Sequence, residues 1–155
     1  MVELKYIDQG GFCVRIVLCT DERLGISFCG RRQSRDKILT RDILSAARGG
    51  RLLIKEYSRL LFAEASIDLE ENGILVSEDP FSEAKDEDAV LIELSVSEDQ
   101  LLLANEIVLY NWNRHYPATE RVSEAFLEKN FELSDEYHFC GNSHENLTRY
   151  TLKHK

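Results

Sequence analysis

Long apolar runs are missing from this chain. Stretches such as residues 16–18 and 101–104 fall far short of the roughly 18 residues a membrane-spanning helix needs. Cysteine is sparse and poorly spaced for metal: Cys13, Cys19, Cys29 and Cys140 form no C-x-x-C pair, and their separations of 6, 10 and 111 fit no zinc ribbon or finger. The four histidines, His115, His138, His144 and His154, are scattered, with no H-E-x-x-H, so no metal site is expected. No charged-then-apolar leader is visible, because residues 1–9 already carry Glu3, Lys5 and Asp8. A cytoplasmic protein with free thiols and no membrane association is therefore expected. Internal repeats are also lacking.

What is present suffices for a packed core: 43% of the residues are hydrophobic and 30% are charged, in 155 residues. That length predicts a single domain over residues 1–155. The net charge of −9 argues against nucleic acid as a partner. The charge is unevenly spread. Residues 23–60 carry ten basic side chains against three acids, whereas residues 61–99 carry thirteen acids against Lys85 alone. This pattern reads either as a solvated basic surface beside an acidic one, or as a local anion site on an otherwise acidic protein.

The β-branched run 13–19, bounded by Gly10-Gly11 and Thr20-Asp21-Glu22, predicts a buried strand. Ser34 reads as the N-cap of a helix over 35–48, with Ile38, Leu39, Ile43 and Ala46 or Ala47 on its apolar face and Gly49-Gly50 ending it. Residues 52–54 form a second strand. A short helix over 56–64 follows, with Tyr57, Leu60, Leu61 and Ala65 at helical spacing. Further strands are expected at 74–76, 89–94 and 106–111, and a helical piece at 123–129. Two C-terminal strands, 131–139 and 147–153, read as a β-hairpin around Cys140-Gly-Asn-Ser-His-Glu145. Alternating strands and helices followed by a run of strands describe an α/β domain, parallel in its first part and antiparallel in its last.

The two ends of the chain resemble the two ends of dihydrofolate reductase. Asp21-Glu-Arg-Leu-Gly25-Ile26-Ser-Phe-Cys-Gly30 is similar to that family's D-x-x-x-G-I-G-x-x-G loop, and Asn142-Ser143-His144 to the N-S-H of its closing hairpin. Between them, 107–110 followed by Tyr116-Pro117-Ala118-Thr119 resembles the family's L-Y-L-T strand and G-D-T-x-F-P loop. The resemblance implies a mixed central sheet with flanking helices and a C-terminal β-hairpin. It also implies a ligand cleft between the first loop and the first helix, where Asp36 would be the proton-relay acid.

Other positions depart from the family. Gly30 runs into Arg31-Arg32-Gln33-Ser34 where the family has P-W. Lys55-Glu56-Tyr57-Ser58 stands for G-R-x-T: Ser58 keeps a hydroxyl, but Glu56 replaces the arginine that would hold a 2′-phosphate. Residues 91–94 contain none of the glycines that let backbone approach a pyrophosphate. The phosphorylated nicotinamide cofactor (NADPH) is therefore disfavoured, and the cofactor is left unassigned.

Three functions stay open. The first is a small-molecule binding domain for an anionic or heterocyclic ligand, nucleotides included. The second is a nicotinamide-dependent reductase of a pterin or related heterocycle. The third is a protein or RNA interaction module using the basic face from Arg31 to Arg41. The candidate ligand residues are Gly25, Ile26, Arg31, Arg32, Ser34, Tyr57, Ser58, Arg114, Tyr116 and Ser143. Blander readings stand beside these. Asp36 suits a helix dipole, Tyr57 and Tyr110 suit a core, and Ser143-His144 suits a turn cap, since adjacency does not make a catalytic triad.

Overall fold

The computed structural model describes residues 14–47 and 49–155. Its centre is β1 (Arg15–Thr20), whose apolar side chains alternate between two buried faces. Ile16 and Leu18 join one core and Val17 the other. The same alternation holds in β4 (Leu52–Ile54), β6 (Ala89–Ile92) and β7 (Glu106–Asn111), which pair parallel with β1 or with one another. Strands covered on both faces read as continuous apolar runs, which is why these segments were visible in sequence.

The seven-stranded sheet has the order β5-β4-β6-β1-β7-β10-β9, with β5 at Ile74–Val76, β9 at Phe131–Phe139 and β10 at Leu147–His154. The last two form the expected antiparallel hairpin, and β10 also pairs antiparallel with β7, giving a mixed sheet. A smaller ribbon joins β2 (Gly25–Phe28), β3 (Arg31–Arg32) and β8 (Glu120–Arg121). On one face of the main sheet lie α1 (Lys37–Ile43) and α2 (Arg59–Glu64), through Leu39, Ile43, Leu61 and Phe62. Toward the other face, α3 (Pro80–Glu83), α4 (Glu98–Leu101) and α5 (Glu124–Asn130) supply Phe81, Leu101 and Leu127. No helix among the described residues is long and apolar enough to cross a membrane.

Several boundaries differ from the sequence expectation. The first helix is capped by Asp36 rather than Ser34: Asp36 Oδ1 accepts the N–H groups of Ile38 and Leu39. It tightens after Ile43 into a 3₁₀ turn, Leu44–Ala47, and Ile38 is exposed. The second helix opens as a 3₁₀ turn, Glu56–Ser58, whose different pitch rotates Tyr57 and Leu60 outward and puts Phe62 in the core. The strand at 89–94 ends at Ile92, where Glu93 turns into a polar cluster. Cys13 lies outside the described residues; Cys19, Cys29 and Cys140 are free thiols.

Candidate functional site

The N-cap carboxylate of α1 organises one end of the sheet. Asp36 is buried, and besides its two helix donors it collects the turn of the C-terminal hairpin. Oδ1 accepts from the Asn142 N–H at 3.1 Å. Oδ2 accepts from the N–H groups of Ser143 at 2.8 Å and His144 at 3.1 Å, from Ser143 Oγ at 3.1 Å and from His144 Nδ1 at 3.3 Å. Burial alone would raise its pKa. The N–H groups of Ser143, Asn142 and Leu39, with the His144 side chain, outweigh that and hold it at about 2. A carboxylate so thoroughly paired fastens helix to hairpin.

Above this latch lies a cleft of about 410 Å³ bounded by the start of α1, the loop after β7 and the hairpin turn. The loop is set by Asn113, whose φ of 58° is left-handed. Its amide donates to Thr148 Oγ1 and to the Asn146 carbonyl, a local arrangement that suits Asn in this region. Tyr116 is placed by Asp21, a fully buried carboxylate that accepts the N–H groups of Tyr116, Gly25 and Arg23. Burial opposes its ionisation, but those N–H groups win and hold its pKa below the usual carboxylate range.

Polar and charged groups converge on the cleft. His144 Nε2 lies 3.0 Å from Ser34 Oγ and 3.2 Å from the Tyr116 hydroxyl. Its ring packs on Trp112, centroids 4.8 Å apart. Arg35 pairs with Glu64 across the rim at 3.4 Å. Among the described residues, the Lys37 ammonium and the Arg114 guanidinium have no hydrogen-bond or ion-pair partner, and both line the cleft.

The structure thus brings together five of the expected residues, Ser34, Asp36, Arg114, Tyr116 and Ser143. It puts others elsewhere. Arg32, Tyr57 and Ser58 meet around Glu93, whose side chain is only 8% exposed. Glu93 takes Arg32 Nε at 2.7 Å and Nη2 at 2.9 Å, and Ser58 Oγ at 2.6 Å. The Arg32 guanidinium stacks 4.3 Å over the Tyr57 ring. Burial would lower the Arg32 pKa, yet the Glu93 carboxylate raises it above the ordinary value. The groups expected to hold a ligand phosphate there are already satisfied by the protein's own anion. A second cavity of about 270 Å³ lies beside this cluster, between Lys55, Asp79 and residues 91–95.

Ile26 is buried and, with Arg32, lines a small cavity that adjoins the cleft through Ser34, Arg35 and Asp36. Gly25 lines neither, and a Cβ on it would lie 2.5 Å from Ala118 Cβ, so this glycine serves close packing. Arg31 is an exposed ribbon residue that lines neither cavity. Sequence reasoning missed Lys37, Asn142, Asp21 and Glu93 as organisers, and read His144 as a turn cap only. The N-S-H motif was the available signal for His144. Among the described residues no group of His, Cys, Asp and Glu is placed to hold a metal ion.

No protein-family model matches the chain, and no curated protein matches it. Among solved structures it is similar to dihydrofolate reductase from Enterococcus faecalis complexed with NADP(H) and RAB-propyl. The TM-score is 0.61 at 9% identity, over 92% of this chain and 96% of that one. The chain therefore has a dihydrofolate-reductase-like fold: a mixed seven-stranded sheet, flanking helices and a C-terminal hairpin. Fold likeness at this identity carries no activity with it.

Proposed function

We propose that the protein binds a small organic anion, of heterocycle or nucleotide type, in the cleft between α1, the loop after β7 and the hairpin turn. The observation that carries this reading is the pair Lys37 and Arg114, two cations without partners among the described residues, on the wall of a 410 Å³ cleft. That volume suits one compact ligand. Tyr116 and Leu61 offer apolar surface for a ring, and the Asn142 and Ser34 side chains offer polar contacts.

The residues present do not fit a nicotinamide dinucleotide. Glu93 fills the anion position between Ser58 and Arg32, and Glu56 presents a carboxylate, held by Arg59 at 3.0 Å, near where a 2′-phosphate would need a cation. This disfavours the reductase reading. The interaction-module reading loses support as well, because much of the basic face is engaged internally: Arg32 with Glu93, Arg35 with Glu64, and Arg41 with the Ala65 carbonyl.

Thermal melting against nucleoside monophosphates, folates and NADPH tests the proposal. A ligand present at a hundred times its Kd adds about 2.7 kcal/mol of stability. At least one compact anion should raise the melting temperature, and NADPH at millimolar concentration should not. Stabilisation by NADPH alone would contradict the reading.

A further inference from the structure

We propose that Ser34, His144 and Asp36 form a hydroxyl–imidazole–carboxylate relay that makes the cleft an esterase site for carboxylic esters bearing an anionic group. The preference for anionic substrates rests on the cleft reading above; the relay stands on its own geometry. Two segments supply it: the turn into α1, which carries both Ser34 and the N-cap Asp36, and the turn between β9 and β10, which carries His144. Such an arrangement is recognised by geometry and roles, whatever the order of the residues in sequence.

Each link is in reach. His144 Nδ1 lies 3.3 Å from Asp36 Oδ2 and 3.0 Å from Ser143 Oγ, and Ser143 Oγ itself lies 3.1 Å from Asp36 Oδ2. An ionised carboxylate on this side places the imidazole proton on Nδ1 and leaves the Nε2 lone pair for the Ser34 hydroxyl, 3.0 Å away. The Tyr116 hydroxyl lies 3.2 Å from the same Nε2 and 3.5 Å from Ser34 Oγ, so the three groups form a triangle in which Ser34 is the nearer partner of the imidazole. The Trp112 face and deep burial fix the imidazole plane, while Ser34 and Tyr116 border the open cleft.

In the reaction, Ser34 Oγ bonds to the ester carbonyl carbon as its proton passes to His144 Nε2. The ester C–O bond then breaks, and the departing alkoxide takes that proton, leaving an acyl-Ser34. Water adds to the acyl carbon and gives a proton to Nε2. The Oγ–C bond breaks, and Ser34 regains its proton. The sum is ester plus water to acid plus alcohol.

The first-turn donors of α1 are taken: the N–H groups of Ile38 and Leu39 serve Asp36, and that of Lys37 serves Asn142 Oδ1. The side chains at the cleft that can meet the developing charge are the Tyr116 hydroxyl, Lys37 and Arg114. Because one missing oxyanion donor lowers kcat about 10²–10³-fold, the site should be slow and should favour activated esters.

The experiment is covalent trapping of the full chain with a fluorophosphonate, read by intact mass and peptide mapping. It is run beside hydrolysis of 4-nitrophenyl hemisuccinate and of neutral 4-nitrophenyl butyrate. Trapping forms the Ser34 Oγ–P bond as fluoride leaves and the proton goes to His144. We expect one adduct, on Ser34, lost in urea-unfolded protein, slowed at least about 100-fold in His144→Gln, and faster turnover of the anionic ester. Ser34→Ala removes one half-buried hydroxyl and should stay folded, so it decides the matter if His144→Gln does not fold. An adduct absent or on another serine, or hydrolysis at the wild-type rate in Ser34→Ala, would overturn the relay. Anion-induced stabilisation persisting in Ser34→Ala without any trapping would leave the binding reading standing while the relay falls. Trapping at Ser34 with no preference for the anionic ester and no anion-induced stabilisation would leave the relay standing and remove the anionic preference.

Discussion

Replacing Asp36 by Asn keeps the size of the side chain and removes its charge, which isolates what the carboxylate does. Asn is itself a good N-cap, so its carbonyl can still serve Ile38 and Leu39. The amide NH₂, however, would face the N–H groups of Ser143 and His144, donor against donor. Each buried donor left unsatisfied costs about 1–3 kcal/mol. The side chain is 0% exposed, so water cannot take over those donors without opening the hairpin turn. The expected loss at pH 7 is about 3–5 kcal/mol, at the level of breaking a buried ion pair.

The pH dependence supplies a second handle. Asp36 is held at about 2 against an ordinary 3.8. A folded pKa below the unfolded one contributes stability above pH 4 that is lost as pH falls toward 2. At about 1.4 kcal/mol per pKa unit this amounts to about 2 kcal/mol. Urea denaturation of both proteins from pH 7 to pH 2 is the assay. The gap between them should narrow by about 2 kcal/mol on acidification, because other acid-shifted carboxylates such as Asp21 are present in both proteins and cancel. A loss under 1 kcal/mol at pH 7, or a gap that does not depend on pH, would refute the latch.

Glu93→Ala should destabilise by about 3–5 kcal/mol in urea, since it strands the buried Arg32 guanidinium and the Ser58 hydroxyl; an effect below 1 kcal/mol would show that the cluster is slack. Gly25→Ala should lower stability by about 1–3 kcal/mol in a thermal melt, because its Cβ meets Ala118 and the Gln33 side chain. A neutral result would mean the ribbon yields. Phe62→Ala should cost about 3–5 kcal/mol while Leu60→Ala costs under about 0.5. The reverse ranking would contradict the 3₁₀ entry into α2.

The strands of the sheet were legible because their residues face two cores, and an unbroken apolar run needs little context. The hairpin was legible for a different reason, the polar turn 140–145 between two alternating segments. Helix entry was not. Ser34 and Asp36 are both good caps, and only contact with residues 142–144, over a hundred positions away, selects Asp36. The helical wheel drawn through Tyr57 and Leu60 failed because a 3₁₀ turn changes the pitch. For the site, the resemblance pointed to Tyr116 and Ser143 and the helix-cap reading to Ser34, and all three line one cleft. Arg32 and Ser58 looked available because nothing local reveals Glu93, 61 and 35 residues further on, as their partner.

The claim at the centre of this account is that a compact organic anion sits against Lys37 and Arg114. Amide chemical shifts of the ¹⁵N-labelled protein, followed while a nucleoside monophosphate is titrated in, test it most directly. The account predicts saturable shifts at residues 34–37, 114–116 and 142–144, none at 57–58 or 91–94, and loss of the response in the Lys37→Ala, Arg114→Ala double variant with its spectrum otherwise intact. Shifts centred on residues 57–58 and 91–94, or an unchanged titration in the double variant, would contradict it.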